Sequence, residues 1–306
     1  MKAISYIGVS FLKGKIQLAV IEHKRKKRTV TVLAERTSSI DFAREGENLS
    51  AEHPQLGTFV SEMKSLIKQQ KITAENISFA LPPDPMFINI IPVDPGLKGK
   101  ELAQYLQWEM NQYFPEASPK EFIIGADGLP LESKNAQQTF MVAVRRGVAL
   151  FLQKAVAGMK LNLNIIDIDQ FSTEKTLITN YPEILDHEIV LFGIRTNGVD
   201  ASLIHKGAMT DYRAFHYNGD PNPEKPIMEY LKYLKQKETD TPAAILLHGS
   251  DIAQSFVVSL RTTTGVKQTL AMNSLRKIRA ADSLSKPLMK ESYRFAAAIG
   301  LALRAK

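Results

Sequence analysis

The sequence lacks several features that would assign the chain to a particular class of protein. None of its 306 residues is cysteine, so the chain forms no disulfide and offers no thiolate as a nucleophile or metal ligand. No apolar run approaches the roughly 20 residues that a membrane-spanning helix needs. The first residues also lack the sustained apolar core and cleavage site of a signal peptide. These absences favour a cytoplasmic location, with any membrane association made through a partner or a surface contact.

The familiar catalytic motifs are missing as well. The sequence contains no Gly-x-x-x-x-Gly-Lys-Ser/Thr, no His-Glu-x-x-His and no Gly-x-Ser-x-Gly, which excludes the commonest phosphate-loop, metalloprotease and hydrolase sites. Its six histidines never pair at the spacing of metal ligands. We therefore predict no catalytic residue and no metal site.

Positive charge is concentrated in one place. The net charge is +7, and the densest basic run is His23-Lys24-Arg25-Lys26-Lys27-Arg28. Such a run can bind nucleic acid or anionic lipid. It can equally be the solvated tip of a hairpin, and we prefer this interpretation because the run separates two β-prone segments and contains no aromatic residue. We predict no nucleic-acid partner.

The length and the order of predicted elements indicate two lobes. Alternating and β-branched residues predict a three-stranded meander, then a helix and a strand. The corresponding ranges are 3–10, 15–22, 29–36, 54–70 and 76–81. The same order returns at 189–195, 201–205, 208–215, 227–237 and 243–247. A duplication of this size predicts two similar lobes that face a shared cleft.

Between these repeats lies a predicted β-α-β-β-α insert, which contains the single tryptophan, Trp108. We divide the chain into a first lobe of residues 1–83 plus 162–180, the insert of residues 84–161 and a second lobe of residues 181–306. The terminal helix, predicted at 292–304, is a candidate to return to the first lobe.

The duplicated plan resembles that of the actin-like superfamily, and within it the chain is similar to the PilM-type proteins of type IV pilus assembly. The most specific segment is the ending Gly300-Leu301-Ala302-Leu303-Arg304. Weaker similarities are spread along the chain, at residues 80–82, 87–93, 101–115, 157–160 and 166–167. The resemblance implies an α/β, actin-like (RNase-H-like) two-lobed ATPase fold with a small α+β insert subdomain in the first lobe.

The nucleotide loops depart from the pattern of this superfamily. The resemblance implies an Asp and a Gly in each of two hairpins, which hold the metal and let the backbone approach phosphate. Here Ser10 and Leu12 stand at those positions in the first hairpin, although Gly8 remains, and Gly193 and Arg195 stand there in the second. We predict a pseudo-ATPase with no catalytic residue and no bound cofactor.

Residual nucleotide binding at these loops remains an alternative. ATP and Mg²⁺ are the alternative cofactors, and the third nucleotide element survives in part at Gly249. We expect the adjacent His248 in a surface turn. Arg195 can fill the cleft with an ion pair, and Asp167 and Asp169 are its candidate partners.

A cluster of aromatic residues predicts the partner site. Tyr105 and Trp108 lie three positions apart on the insert helix, and such residues anchor peptides at interfaces. We place partner binding at Phe87, Ile88, Tyr105, Leu106 and Trp108. The alternative is that these side chains form the core of the insert.

The resemblance completes the functional hypothesis. It implies a scaffold at the cytoplasmic face of the inner membrane, which contacts other pilus assembly proteins. The scaffold would bind the cytoplasmic N-terminal segment of a bitopic, PilN-type partner in a cleft between the first lobe and the insert. Contact with the membrane would then be only indirect. The alternatives are an active actin-like ATPase of pilus assembly and a component similar to the type II secretion protein L. The latter continues into a transmembrane helix, whereas this chain ends at Lys306, so we prefer the scaffold.

Overall fold

The computed structural model describes residues 3–129, 137–217, 221–237 and 239–304. Residues 1–2, 305 and 306, which the predicted lobes include, lie outside this range. Among the described residues, strands form three sheets with the orders β14-β3-β2-β1-β4-β8, β11-β10-β9-β12-β13 and β5-β7-β6. The strands are β1 Ile4–Leu12, β2 Lys15–Lys24, β3 Lys27–Thr37, β4 Asn76–Leu81, β5 Met86–Val93, β6 Phe122–Gly128, β7 Gln137–Arg145, β8 Asn162–Ile168, β9 Ile189–Ile194, β10 Gly198–His205, β11 Ala208–His216, β12 Ala244–Gly249, β13 Gln268–Ala271 and β14 Arg279–Ala280.

Helices cover these sheets. They are α1 Phe42–Glu45, α2 Leu56–Gln69, α3 Gly99–Tyr113, α4 Arg146–Met159, α5 Asp169–Asn180, α6 Glu224–Gln236, α7 Gln254–Thr264, α8 Lys286–Lys290 and α9 Ala296–Arg304. The sequence did not predict α1, α8 or β14, which are all very short. None of the helices in the described ranges has both the length and the apolar character needed to cross a membrane.

The predicted duplication is confirmed. In the first lobe β1 pairs antiparallel with β2 and parallel with β4, and in the second lobe β9 pairs antiparallel with β10 and parallel with β12. Strands β1, β9 and β12 are mostly buried on both faces, as expected for strands covered by helices on each side. Both meanders therefore place a hairpin turn beside the cleft between the lobes.

The insert is smaller than the sequence predicted. Its three-stranded sheet packs against α3 around Leu106, Met110 and Met141. Helix α4, which we assigned to the insert, instead buries Phe151 and Leu152 in the core of the first lobe. Its apolar stripe fits the surface of α2, so the insert with a core of its own spans β5 to β7.

Two helices connect the lobes. Helix α9 returns to the first lobe, as the sequence suggested, and packs on its sheet through Ile299 and Leu303. This return begins before the terminal helix, since β14 pairs with β3. Helix α5, which we assigned to the first lobe, contacts the first sheet but also buries Leu177 against the second sheet. The boundary predicted at 180 therefore does not separate the packing units.

Helices α5 and α9 approach each other and the first sheet very closely. An added Cβ at Gly300 would overlap the carbonyl oxygen of Ser172 on α5, and one at Gly8 would overlap that of Ala298 on α9. Gly8, which we had considered as a remnant of the phosphate loop, thus serves helix–sheet packing here.

Candidate functional site

The β1–β2 and β9–β10 turns both reach the cleft, and Leu12 and Arg195 stand where the resemblance implies glycine. Ser10 is buried in β1 opposite Gln17, and Leu12 ends the strand. The turn that follows contains Lys13, whose ammonium forms an ion pair with Asp251 of the second lobe. The first loop is therefore tied to the opposite lobe by its own side chain.

Arg195 occupies the centre of the cleft. Its side chain is 5% exposed, and its Nη1 lies 2.9 Å from Asp84 Oδ2 of the first lobe. Its Nε lies 2.7 Å from Asp200 Oδ2 of the second lobe, and Nη1 also donates to Asn197 Oδ1 at 3.1 Å. The guanidinium thus links both lobes by charge-assisted contacts.

The carboxylates around Arg195 are shifted by burial. Desolvation raises the pKa of Asp200, although Arg195 and the hydroxyl of Tyr212 oppose the shift. Burial also raises the pKa of Asp169 well above its usual range, and the negative charge of Asp200 adds to this. An ion pair in the cleft was expected from sequence, but its partners are Asp84 and Asp200. The candidate Asp167 instead pairs with Arg304 at 2.6 Å.

Gly193 is surrounded by a buried polar pair. The Oε1 of Gln170 lies 2.6 Å from His248 Nε2, and an added Cβ at Gly193 would lie 2.7 Å and 2.8 Å from these two atoms. His248 is buried, so our expectation of a surface turn was wrong, and desolvation lowers its pKa to about 3. A carboxylate at position 193 has no room beside this pair.

The glycine at position 249 is also required by packing. Its φ is 101°, and an added Cβ would overlap the backbone of Ile194. The next residue, Ser250, donates its backbone N–H to the Ile194 carbonyl at 2.9 Å. The glycine that we took for part of an adenosine site lets two second-lobe segments pack closely.

These contacts leave little space where the loops converge. The cavity that Ser10, Leu12, Gly193, Arg195 and Gly249 line has a volume of about 20 Å³, near that of one water, whereas ligand pockets have roughly 300–1,000 Å³. A larger cavity of about 540 Å³ opens on the other side of Arg195, beside Lys13, Phe42 and Asp84. Within the described ranges, no group of three or more His, Asp or Glu residues could hold a metal ion.

A second groove lies between the insert and the lobes. Its volume is about 520 Å³, and β6, β8, α5 and the β10–β11 turn line it. In the described part of the chain, β6 and β8 are both edge strands of their sheets, so each carries backbone donors and acceptors that no neighbouring strand pairs. The apolar lining residues include Ile123, Phe140, Val142, Ile166 and Met209.

The groove also contains charged groups. Asp127, Asp167, Glu174 and Arg304 contribute to its lining, and Arg304 is held there by Asp167 and by the carbonyl of Phe171 at 2.6 Å. Burial raises the pKa of Glu174 to about 7, although Arg304 opposes the shift. The groove is thus an apolar channel with an excess of acidic side chains.

The predicted partner residues do not come together on one surface. Leu106 is buried in the insert core, and Phe87 lies under α3 with its ring centroid 4.7 Å from that of Tyr113. Ile88 faces the opposite side of the sheet, near Phe140.

Two of the predicted residues do form a pair on α3, in which Trp108 is exposed and Tyr105 is half-buried. Trp108 is 55% exposed, and its ring centroid lies 5.9 Å from that of Tyr105. The interpretation of Trp108 as a core residue is therefore wrong. The resemblance implied a partner cleft between the first lobe and the insert, and the groove lies there. No pattern in the residues themselves indicated it, because the two edge strands meet only in the folded chain.

Comparison with known proteins shows the fold. No protein-family model and no curated protein matches the sequence. Among solved structures, a chain of the "PilM-PilN type IV pilus biogenesis complex" superimposes with a TM-score of 0.79 and 18% identity, over 98% of each chain. The actin-like fold and the resemblance to PilM that we expected from sequence are confirmed at the level of the fold.

Two further structures match less closely. A protein of unknown function from Bacteroides thetaiotaomicron, described as having an actin-like ATPase fold, gives a TM-score of 0.49 at 10% identity, over 94% of this chain and 95% of that one. The cytoplasmic domain of EpsL, an inner-membrane component of the type II secretion system of Vibrio cholerae, gives 0.48 at 10% identity, over 89% and 98%.

Proposed function

Because the chain has the fold of a chain in the PilM–PilN type IV pilus biogenesis complex, we propose that it is a scaffold of a pilus assembly machine. In this proposal it binds the N-terminal cytoplasmic segment of a bitopic, PilN-type partner at the cytoplasmic face of the inner membrane. The observation that supports it most directly is the groove of about 520 Å³ between the insert and the lobes.

The groove fits an extended peptide for physical reasons. The edge strands β6 and β8 offer unpaired backbone groups along its walls, and a peptide strand can add to such an edge through main-chain hydrogen bonds. Apolar side chains such as Phe140 and Val142 provide pockets for alternate residues of the peptide. A short segment held in this way needs only micromolar affinity, because a membrane-tethered partner is already concentrated at the bilayer.

We further propose that the chain does not hydrolyse ATP. The volume of about 20 Å³ between the loops and the buried Arg195 between Asp84 and Asp200 support this. An active ATPase of pilus assembly remains the second candidate, favoured by the larger cavity beside Lys13 and Asp84.

Titration calorimetry with Mg-ATP separates these two candidates. The proposal expects no saturable heat, whereas a dissociation constant in the low micromolar range, about −8 kcal/mol, would contradict it. The double variant Ser10→Asp/Gly193→Asp is expected to gain no ATPase activity, because Gln170 and His248 occupy the space beside position 193.

Peptide binding can be tested at the groove with a variant that leaves the fold intact. An added Cβ at Gly125 meets nothing within 4 Å, and Gly125 lines the groove, so Gly125→Phe is expected to occupy it. Gly57 on α2 has equally free surroundings, and Gly57→Phe is the matched control. The probe is a synthetic peptide of the cytoplasmic N-terminal segment of a bitopic, PilN-type membrane protein.

Calorimetry with this peptide also distinguishes the groove from the Tyr105–Trp108 pair on α3 as the binding site. The groove proposal expects Gly125→Phe to lose binding while Gly57→Phe and Trp108→Ala retain it. Loss of binding in Trp108→Ala alone would move the site to α3. No binding by the unmodified protein would contradict the partner proposal and favour a component similar to the secretion protein L, whose partner segment can be tested in the same way.

A further inference from the structure

The strongest charged feature outside the groove and the cleft is the turn between β2 and β3. Five consecutive cations, Lys24, Arg25, Lys26, Lys27 and Arg28, occupy it, and all five are exposed. Across the described ranges, none of them lies within ion-pair distance of a carboxylate. The tip therefore presents uncompensated positive charge to whatever approaches it.

The register of the hairpin places like charges against each other. Lys24 pairs directly with Lys27, and like charges in directly opposed positions destabilise a sheet. Arg25 adopts a φ of 56°, which is unfavourable for a residue with a long side chain. Glu22, two residues before Lys24 on β2, forms no ion pair with these cations among the described residues. The arrangement does not serve the stability of the hairpin, so its use lies outside the fold.

An apolar side chain and a further cation lie beside the tip. Ile4, which is 51% exposed, is the cross-strand partner of His23. Arg279 of β14 pairs with Thr29, next to Arg28. A cluster of cations with an exposed aliphatic residue at its base matches an anionic bilayer surface, because headgroups attract the charge and the interface accepts the apolar group.

We infer that the β2–β3 tip docks onto the anionic phospholipid headgroups of a membrane surface. This goes beyond the indirect membrane contact expected from sequence, and it does not depend on the partner proposed above. A bilayer is favoured over nucleic acid because no aromatic side chain separates the cations for base stacking. In addition, the cations cluster at one hairpin tip and do not follow a groove. Each cation near such a surface strengthens binding about fivefold, so the tip alone binds reversibly.

The inference can be tested by co-sedimentation with vesicles. The unmodified chain is expected to sediment with vesicles of phosphatidylcholine and phosphatidylglycerol but not with phosphatidylcholine alone, and to dissociate as salt screens the charges. The variant Lys24→Glu/Lys26→Glu/Lys27→Glu is expected to reduce binding by at least a hundredfold, on the order of fivefold per removed charge. Arg25 is left in place because of its backbone conformation.

A matched control changes net charge equally at another exposed surface. Lys64, Lys68 and Lys154 are exposed on α2 and α4, and the variant Lys64→Glu/Lys68→Glu/Lys154→Glu is expected to keep most of the binding. Equal loss in both variants would overturn the inference, since net charge alone would then explain binding. Failure of the unmodified chain to sediment would also overturn it.

Competition with nucleic acid provides the remaining outcome. If a single-stranded oligonucleotide binds the tip more tightly than the anionic vesicles do at the same salt, the lipid assignment is wrong. Capture of the partner peptide by the tip variant in solution is expected to be unchanged, so loss of vesicle binding and loss of partner binding are distinguishable.

Discussion

The most informative perturbation of the cleft is Arg195→Met. This substitution keeps the length and most of the apolar stem of the side chain while it removes the guanidinium between the lobes. It leaves the carboxylates of Asp84 and Asp200, which are 9% and 1% exposed, without their cation. Breaking a buried ion pair in this way costs about 3–5 kcal/mol, because the remaining charge stays desolvated.

The loss has a predictable pH dependence. Burial already raises the pKa of Asp200, and Arg195 is the main group that opposes this. In the variant the pKa of Asp200 in the folded state therefore lies further above its pKa in the unfolded state. At pH values above the unfolded-state pKa, the charged carboxylate is then less favourable in the folded state than in the unfolded state. Stability of Arg195→Met is expected to fall as the pH rises from acid toward neutrality, and the deficit relative to the unmodified protein is expected to be smaller near pH 5 than near pH 7.

The assay is equilibrium urea unfolding, read as a change in midpoint with an unchanged slope. Lys13→Met is the matched control, because the Lys13–Asp251 pair also joins the lobes but its side chains are 42% and 69% exposed. Such a pair contributes about 0–1 kcal/mol. A loss in Arg195→Met no larger than that in Lys13→Met would refute the assignment of a desolvated cluster. The further variant Arg195→Met/Asp84→Asn is expected to lose less than the sum of its single substitutions, by about 0.5–3 kcal/mol.

Three further predictions address the helices, the insert and the groove. Gly300→Ala is expected to destabilise the chain by about 1–3 kcal/mol or more, since the added methyl overlaps the Ser172 carbonyl. Thermal unfolding measures this change. An unchanged midpoint would contradict the close approach of α5 and α9. Trp108→Ala is expected to change stability by no more than about 0.5 kcal/mol, whereas Leu106→Ala is expected to cost about 2–5 kcal/mol; equal losses in urea would place Trp108 in the core after all. Glu174 has a pKa of about 7, so the free energy of unfolding is expected to fall between about pH 4.5 and 7, by at most about 3 kcal/mol. The variant Glu174→Gln is expected to lack this decline. Identical pH profiles of the two proteins would show that the carboxyl is solvated.

The order of elements was readable from sequence because it depends on local pattern. Alternation over residues 29–36 and the apolar stripe of α2 follow from periods of two and 3.6 residues, and both elements are confirmed. The prediction of degenerate loops also came from sequence, since Leu12 and Arg195 stand where the resemblance implies glycine.

The packing partners of helices and buried side chains could not be predicted from the sequence, because they depend on contacts between distant segments. Helix α4 follows the insert in sequence but packs on α2, and nothing in its apolar stripe distinguishes the two surfaces. Arg195 pairs with Asp84 and Asp200 and not with Asp167. All three are aspartates, and no sequence pattern distinguishes them as partners. His248 is buried by a contact with Gln170, which lies on a helix that we assigned to the other lobe.

The return of α9 to the first sheet has a consequence for biosynthesis. Tyr6, Ala19 and Val30 in the first strands are covered by Phe295 and Ile299 near the far end of the chain. While the ribosome makes the intervening residues, this face of the nascent lobe stays uncovered, and exposed apolar surface on an incomplete sheet promotes aggregation. The first lobe is thus completed only after the strands of the second lobe have been synthesised.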